Sequence, residues 1–160
     1  MSNSDFQSGE EVSRMVVVID TDTCDQEYLR NLLTEHDFRF LSSDDEIDRF
    51  IDNKTQVVFY AEVKADRIIL DAVNKIPSNP HMSSVRRVLN HLNYQMLLGV
   101  YTNFEEQGAR YLNSRYEFAV YRDPLGYDAG WLSHSIRRFC ESHKSVLTTF
   151  LGMLASPGLV

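Results

Sequence analysis

The sequence contains few of the residues that mark specialised classes of protein. Its 160 residues include two cysteines, Cys24 and Cys140, four prolines and seven glycines. Two cysteines are too few for a disulfide framework or a zinc-ligand set, so both are expected to be reduced thiols. The low glycine and proline content excludes collagen-like and low-complexity chains. An ordinary globular protein remains.

Long apolar runs are also missing. No stretch approaches the roughly 18 apolar residues that would span a bilayer. The N-terminus, MSNSDFQSGEEVSR, lacks the basic start and apolar centre of a signal peptide. The sequence therefore predicts a cytoplasmic protein with no membrane contact. Residues 1–13 are expected to form a flexible tail, and residues 14–155 a single α+β domain.

Positive charge is scarce in the first half of the chain. Residues 1–80 carry eight basic and seventeen acidic side chains, and residues 81–160 carry eight and six, within a total net charge of −7. Binding to nucleic acid requires a basic face that neutralises phosphates, so no nucleic-acid partner is expected. The acidity fits either a solvated surface or a face that steers a basic partner, and the sequence leaves both open.

The first half alternates short apolar runs with one amphipathic segment. Residues 15–20, MVVVID, are predicted to form a buried strand. Thr23 and Gln26 have the spacing of a capping box, which predicts a helix from there to about His36. Residues 43–55 fit either a short helix or a hairpin. The runs QVVFYAEV and RIILDAV, three residues apart, predict a hairpin.

The second half opens with a break at IPSNPH, where two prolines favour extended backbone. Ser83 or Ser84 is expected to cap a helix that follows and ends by Gly99. GVYTNF and ARYLNSRYEFAVYR predict two strands around a turn at residues 105–108. A long helix is predicted from Ala129 to about Leu154.

The first predicted strand ends in DTD, which resembles the first motif of haloacid-dehalogenase-like phosphatases. The resemblance implies that Asp20 is the nucleophile, Asp22 the general acid and Mg²⁺ a partner. Cys24 stands where the motif has Thr or Val, and no second carboxylate pair for the metal is evident. A magnesium-dependent phosphatase is therefore the alternative function rather than the leading one.

Other candidates for chemistry are weaker. None of the five histidines pairs at the i, i+4 spacing that holds a metal, and all are expected at the surface or at helix ends. Cys140 and His143 lie one helical turn apart, but a cysteine in the middle of a helix is more often a small buried hydrophobe. The sequence predicts no catalytic residue, metal site or cofactor.

A strand rich in tyrosine and arginine is the candidate contact surface. By two-residue alternation, Tyr111, Arg115 and Tyr121 share one face of this strand. The residues expected on the opposite face, toward the core, are Leu112, Tyr116, Phe118 and Val120. Tyrosine and arginine dominate the binding energy of protein interfaces, so the first set is predicted to bind a protein partner.

Residues 88–103, VLNHLNYQMLLGVYTN, resemble the central signature of the YbjN (bacterial sensory-transduction regulator) family. That family shows a helix ending in an LNxLN-like sequence, then a strand, a charged turn, a second strand and a closing helix. The likeness covers roughly residues 25–152, and the MVVVID run departs from it. The match is carried by Leu89, Asn90, Leu92, Asn93, Leu97, Leu98 and Gly99.

The resemblance implies a twisted antiparallel sheet with helices packed on it, similar to type III secretion chaperones. It also implies a homodimer and a non-enzymatic protein-binding module, such as a chaperone or an assembly or regulatory helper, without catalytic residues. Asn90 and Asn93 are expected to be structural, because amide side chains at a helix end can satisfy backbone groups.

Overall fold

The computed structural model of the chain describes residues 18–19, 25–78, 80–95, 99–119 and 127–155. These ranges form three helices and eight strands. In chain order the elements are β1 (Val18–Ile19), α1 (Gln26–Glu35), β2 (Phe38–Asp44), β3 (Ile47–Asp52), β4 (Val58–Val63), β5 (Arg67–Ile76), α2 (Met82–Gln95), β6 (Val100–Glu106), β7 (Ala109–Ala119), β8 (Tyr127–Asp128) and α3 (Ala129–Ala155).

Six strands form one sheet in the order β2-β3-β4-β5-β7-β6, and every neighbouring pair is antiparallel. The longest pairing joins β5 to β7, from Arg67 opposite Ala119 to Ile76 opposite Arg110. The predicted α+β fold with an antiparallel sheet is thus confirmed. β1 pairs instead with β8, as a separate two-stranded ladder.

Helix α1 begins differently from the prediction. Its N-cap is Asp25, whose carboxylate accepts a hydrogen bond from the Tyr28 N–H at 2.8 Å. The Gln26 side chain turns to β4, where it accepts from the Val63 N–H at 2.9 Å and donates to the Ala61 carbonyl at 3.0 Å. The capping box of Thr23 and Gln26 is therefore wrong, because Gln26 satisfies a strand rather than the helix end.

The open alternative at residues 43–55 resolves as a hairpin. β2 and β3 pair from Phe38 opposite Asp52 to Asp44 opposite Ile47, around a turn at Asp45, whose φ is +51°. β3 also pairs with β4. A helix would have left the backbone groups of β4 without this neighbour.

Helix α2 starts at Met82, so Ser83 and Ser84 lie in its first turn and neither is its cap. The His81 carbonyl accepts from the N–H groups of Ser84 and Val85 at 2.9 and 3.2 Å. The β6–β7 hairpin forms as predicted. Its two-residue turn has Gln107 at φ +50° and Gly108 at φ +75°, the positive values that a type I′ turn requires.

All three helices pack on one face of the six-stranded sheet, which we call the inner face; the other is the outer face. Under α1 and the first part of α3, the core is rich in aromatic rings, with Phe50 and Phe59 fully buried and stacked at 5.6 Å. Under α2 and the end of α3 the core is mainly aliphatic, around Leu112. Alternate residues of a strand point to opposite faces, so most buried strand side chains face the helices; the buried Ile69 of β5 is an exception on the outer face.

Two buried carboxylates on the inner face of β3 tie helices to the sheet. Asp48 receives two hydrogen bonds from Arg30 of α1, at 2.8 and 2.9 Å. Burial alone would raise the pKa of Asp48, but hydrogen bonds, led by that of Arg30, outweigh burial and lower it. Asp52 accepts from the Thr55 hydroxyl at 2.6 Å and lies 3.5 Å from Nε of Arg137 in α3.

No helix within the described ranges combines the length and the apolar character needed to cross a bilayer. The predicted tail, residues 1–13, lies outside the described residues. The single domain over residues 14–155 and the cytoplasmic location stay predictions.

Candidate partner-binding face of the sheet

Strand β7 has one buried face and one solvent-exposed face. Leu112 is fully buried and Phe118 is 7% exposed, whereas Arg115 is exposed and Tyr111 half-buried on the outer face. This is the assignment that two-residue alternation predicts for these four residues. Tyr121, the third predicted contact residue, lies outside the described residues, as does Val120.

The apolar part of the outer face lies where β6 meets β7. Phe104 stands opposite Tyr111 in the ladder, and the two rings stack with centroids 5.1 Å apart and planes 17° apart. Phe104 is 39% exposed, and Val100, on the same face of β6, is 58% exposed. Sequence reasoning missed both, although they alternate with the buried Tyr101. We call Val100, Phe104 and Tyr111 the β6–β7 patch.

The charged part of the outer face is a row of ion pairs across β5 and β7. Arg115 contacts Glu117 at 3.1 Å and Asp71 at 3.6 Å. Glu117 contacts Arg67 at 3.1 Å, and Arg67 contacts Asp66 at 2.7 Å. Hydrogen bonds from Arg67 and then Arg115 lower the pKa of Glu117. The predicted contact residue Arg115 is therefore held in place by two carboxylates of its own chain.

Asn93 closes part of the free edge of β6. Its side-chain amide donates to the Tyr101 carbonyl and accepts from the Tyr101 N–H, each at 2.8 Å. These are the two bonds that a further strand would make at this residue. Asn93 thus joins α2 to β6 and occupies the edge at Tyr101, which is how an edge strand is protected from unwanted pairing.

The other described residues of the family-like motif are placed around this link. Leu89 and Leu92 are buried in the aliphatic core, and Asn90 lies on the exposed side of α2. Gly99 has φ +82°, and a Cβ there would come within 2.8 Å of the Arg115 carbonyl oxygen. Only glycine allows this approach of the chain to β7. Leu97 and Leu98 lie outside the described residues.

Three polar side chains, Ser114, His143 and Asn74, are joined by hydrogen bonds on the inner face. His143 of α3 is 1% exposed, with Nδ1 2.6 Å from Oγ of Ser114 and Nε2 2.5 Å from Oδ1 of Asn74. Burial lowers the pKa of His143 to about 4, so the ring is neutral at pH 7. The amide oxygen of Asn74 can only accept, so Nε2 carries the proton and Nδ1 accepts from Ser114. The expectation that His143 lies at the surface or at a helix end is wrong, because it is buried in the middle of α3.

Ser114, His143 and Asn74 are arranged like the nucleophile, base and orienting amide of a hydrolase. The burial of Ser114 and His143, however, does not suit catalysis. Ser114 is 1% exposed, so a substrate would reach its hydroxyl only by displacing α3. Cys140, one turn before His143, is fully buried, and burial raises the pKa of its thiol. Cys140 is thus a small buried hydrophobe, as its position in the middle of a helix predicts.

The alternative phosphatase residues, Asp20 and Asp22, lie outside the described residues, so their role stays a prediction. In the part of the chain that the structure describes, no group of three or more His, Cys, Asp or Glu side chains could hold a metal ion.

Comparison with known proteins identifies the fold. No protein-family model matches the sequence, and no curated protein matches it either. Among solved structures, the crystal structure of YbjN from E. coli, described as a candidate transcription regulator, aligns with a TM-score of 0.58. The alignment covers 81% of this chain and 90% of that chain at 14% sequence identity. The chain thus has the YbjN-like α+β fold. This is the fold implied by the resemblance of residues 88–103 to the YbjN family.

Proposed function

We propose that the chain is a non-enzymatic protein-binding module that works as a homodimer, and that the β6–β7 patch is its contact surface for a protein partner. The observation that carries the proposal is the Phe104–Tyr111 stack on the face of the sheet opposite the three helices, with the exposed Val100 four residues earlier on the same face of β6. Clustered exposed apolar side chains rimmed by polar ones are typical of protein interaction sites. A chaperone or an assembly or regulatory helper is the kind of protein that would use it.

The charges around the patch favour a protein over a nucleic acid. Arg67 and Arg115, the arginines of the ion-pair row, are already paired with carboxylates. Binding a phosphate would require each to leave that partner, and the whole chain carries a net charge of −7. A surface that combines apolar rings with internally neutralised charges instead resembles the core and rim of a protein interface.

The name of the structural neighbour adds only a coarse expectation. YbjN is described as a candidate transcription regulator, and regulators often act through protein contacts. At 14% identity its activity does not transfer with its fold. The proposal depends on the outer face of this chain.

Side-by-side capture experiments test the contact surface. Wild type, Phe104→Ser, Tyr111→Ala and Arg115→Ala would be immobilised and exposed to native cell extract. The matched control is Leu151→Ser on α3, because Leu151 is 37% exposed and Phe104 39%. Loss of the same captured protein from the Phe104 and Tyr111 variants, with capture kept by the Leu151 variant, is expected. Normal capture by folded Phe104 and Tyr111 variants would place the contact surface elsewhere.

The homodimer has its own test. Light scattering on the purified protein at micromolar concentration is expected to give twice the 18.5 kDa mass of one chain. A single-chain mass at that concentration would remove the dimer from the proposal while leaving the contact surface open to the capture experiment.

A further inference from the structure

A pocket lies on the inner side of the sheet, away from the β6–β7 patch. It is a pocket of about 240 Å³ between the end of β7 and the first half of α3. The described residues that line it are Tyr116, Phe118, Trp131, Ser135, Arg138 and Phe139. Neither the sequence motifs nor the proposed contact surface includes it.

The walls of this pocket are aromatic. The ring of Phe118 meets Tyr116 edge to face at 4.5 Å and Trp131 edge to face at 6.2 Å. Tyr116 also stacks on Phe139 at 6.4 Å. Trp131 is 47% exposed, so one wall opens to solvent. Such surfaces bind a flat apolar group by offset and edge-to-face packing.

One charged group borders the aromatic walls. Arg138 is exposed, and its guanidinium makes no hydrogen bond or ion pair within the described ranges. Arg137, its neighbour in sequence, is instead tied to the His36 carbonyl at 2.7 Å and to Asp52 at 3.5 Å. Ser135 adds a half-buried hydroxyl to the same wall. The pocket therefore combines apolar walls with one available positive charge.

We infer that this pocket binds a small aromatic carboxylate, with the ring packed against the aromatic walls and the carboxylate paired with Arg138. The volume fits one ring with a short acid chain, since a cavity of about 150 Å³ accepts benzene. Sites for larger ligands usually reach roughly 300–1,000 Å³. A guanidinium suits a carboxylate because it can donate two parallel hydrogen bonds to it.

Trp131 allows a direct test, because it is the one tryptophan in the sequence and it lines the pocket. The probe is 3-phenylpropionate, and its uncharged amide is the matched control. A saturable change in tryptophan fluorescence is expected for the acid, with about tenfold weaker binding for the amide, because a charge-assisted hydrogen bond is lost. Equal binding of acid and amide, or no saturable change with the acid, would overturn the inference.

Two variants test whether Arg138 supplies the positive charge that binds the carboxylate. Arg138→Gln is expected to weaken 3-phenylpropionate binding about tenfold, by the same loss of a charge-assisted bond. Arg86→Gln on the exposed side of α2 is the control and is expected to change nothing. Unchanged thermal unfolding would confirm that both variants are folded. Normal binding by Arg138→Gln, or equal loss in both variants, would contradict the assignment.

The peptide Gly-Gly-Phe with a free carboxyl offers the same chemistry from a chain terminus. Tighter binding of 3-phenylpropionate would identify a free acid as the source, and tighter binding of the peptide would identify a C-terminal aromatic residue. Either result supports recognition of an aromatic carboxylate.

Discussion

The two faces of β7 differ in burial, and we expect the inner face to serve stability and the outer face to serve binding. The inner face is shielded from solvent: Leu112 is fully buried, and the buried Ser114 hydroxyl is hydrogen-bonded to His143. The outer face is exposed to solvent. There Tyr111 stacks on Phe104, and Arg115 belongs to a row of ion pairs. Residues one position apart therefore have different tasks. A substitution on the inner face is expected to destabilise the protein, and one on the outer face to leave its stability nearly unchanged but weaken binding.

The largest expected effect is on the inner face. Leu112→Ala would remove a fully buried side chain from the aliphatic core and is expected to lower the free energy of unfolding by about 2–5 kcal/mol. Tyr111→Ala, one residue away, is expected to cost less than Leu112→Ala, because Tyr111 is partly exposed on the outer face. Urea denaturation of both variants measures the difference. Similar losses would mean that the two faces are not distinct in stability.

Lowering the pH is expected to reduce the free energy of unfolding through protonation of His143, on the inner face of the sheet. Its pKa in the folded state is about 4, below the ordinary 6.5, so the unfolded chain binds a proton first as the pH falls. The stability that depends on neutral His143 is complete above pH 6.5 and is lost as the pH falls toward 4. Between pH 7.5 and pH 5 the loss is about 2 kcal/mol.

Urea denaturation of wild type and His143→Gln at both pH values isolates this contribution from that of the carboxylates. The variant is expected to lose less stability than wild type over the same interval, since it has no ring to protonate. The same pH dependence in both proteins would show that His143 is not the group responsible.

A smaller effect is expected where α2 joins β6. Asn93→Ala would remove both hydrogen bonds to Tyr101 and is expected to cost about 1–2 kcal/mol. Asn90→Ala, at the exposed position of the same motif, is expected to change stability by under about 0.5 kcal/mol. Hydrogen exchange at the Tyr101 amide should accelerate only in the Asn93 variant. Equal behaviour of the two variants would remove the link between α2 and β6.

The smallest effect on stability is expected on the outer face. Arg115→Ala leaves Glu117 its contact with Arg67, so thermal unfolding should stay close to that of wild type. Because exposed ion pairs are weakened by salt, the remaining difference should shrink in concentrated salt. A large, salt-independent loss would show that Arg115 is part of the core framework.

Local patterns in the sequence predict much of this fold. Alternation places Leu112 and Phe118 inward and Tyr111 and Arg115 outward, because a strand's side chains must alternate whatever it pairs with. The hairpin turn at Gln107 and Gly108 is likewise a local property. These elements could be predicted from neighbouring residues alone.

What the sequence does not predict depends on contacts between distant residues. Gln26 looks like part of a helix cap until β4 lies beside it, and His143 looks exposed until Asn74 and Ser114 surround it. Phe104 stacks on Tyr111 only because the hairpin places the two residues opposite each other. These contact partners are determined by the order of the strands and the packing of the helices. Neither can be predicted from the pattern of neighbouring residues.

Site-specific photocrosslinking in the native cell tests the central claim, that the outer face at β6–β7 is the contact surface. A benzophenone amino acid at position 104 is compared with the same residue at position 151, where the native side chain is equally exposed on α3. A discrete crosslinked protein partner from position 104, and none from position 151, is the predicted result. A discrete product from position 151 with none from position 104 would contradict the account.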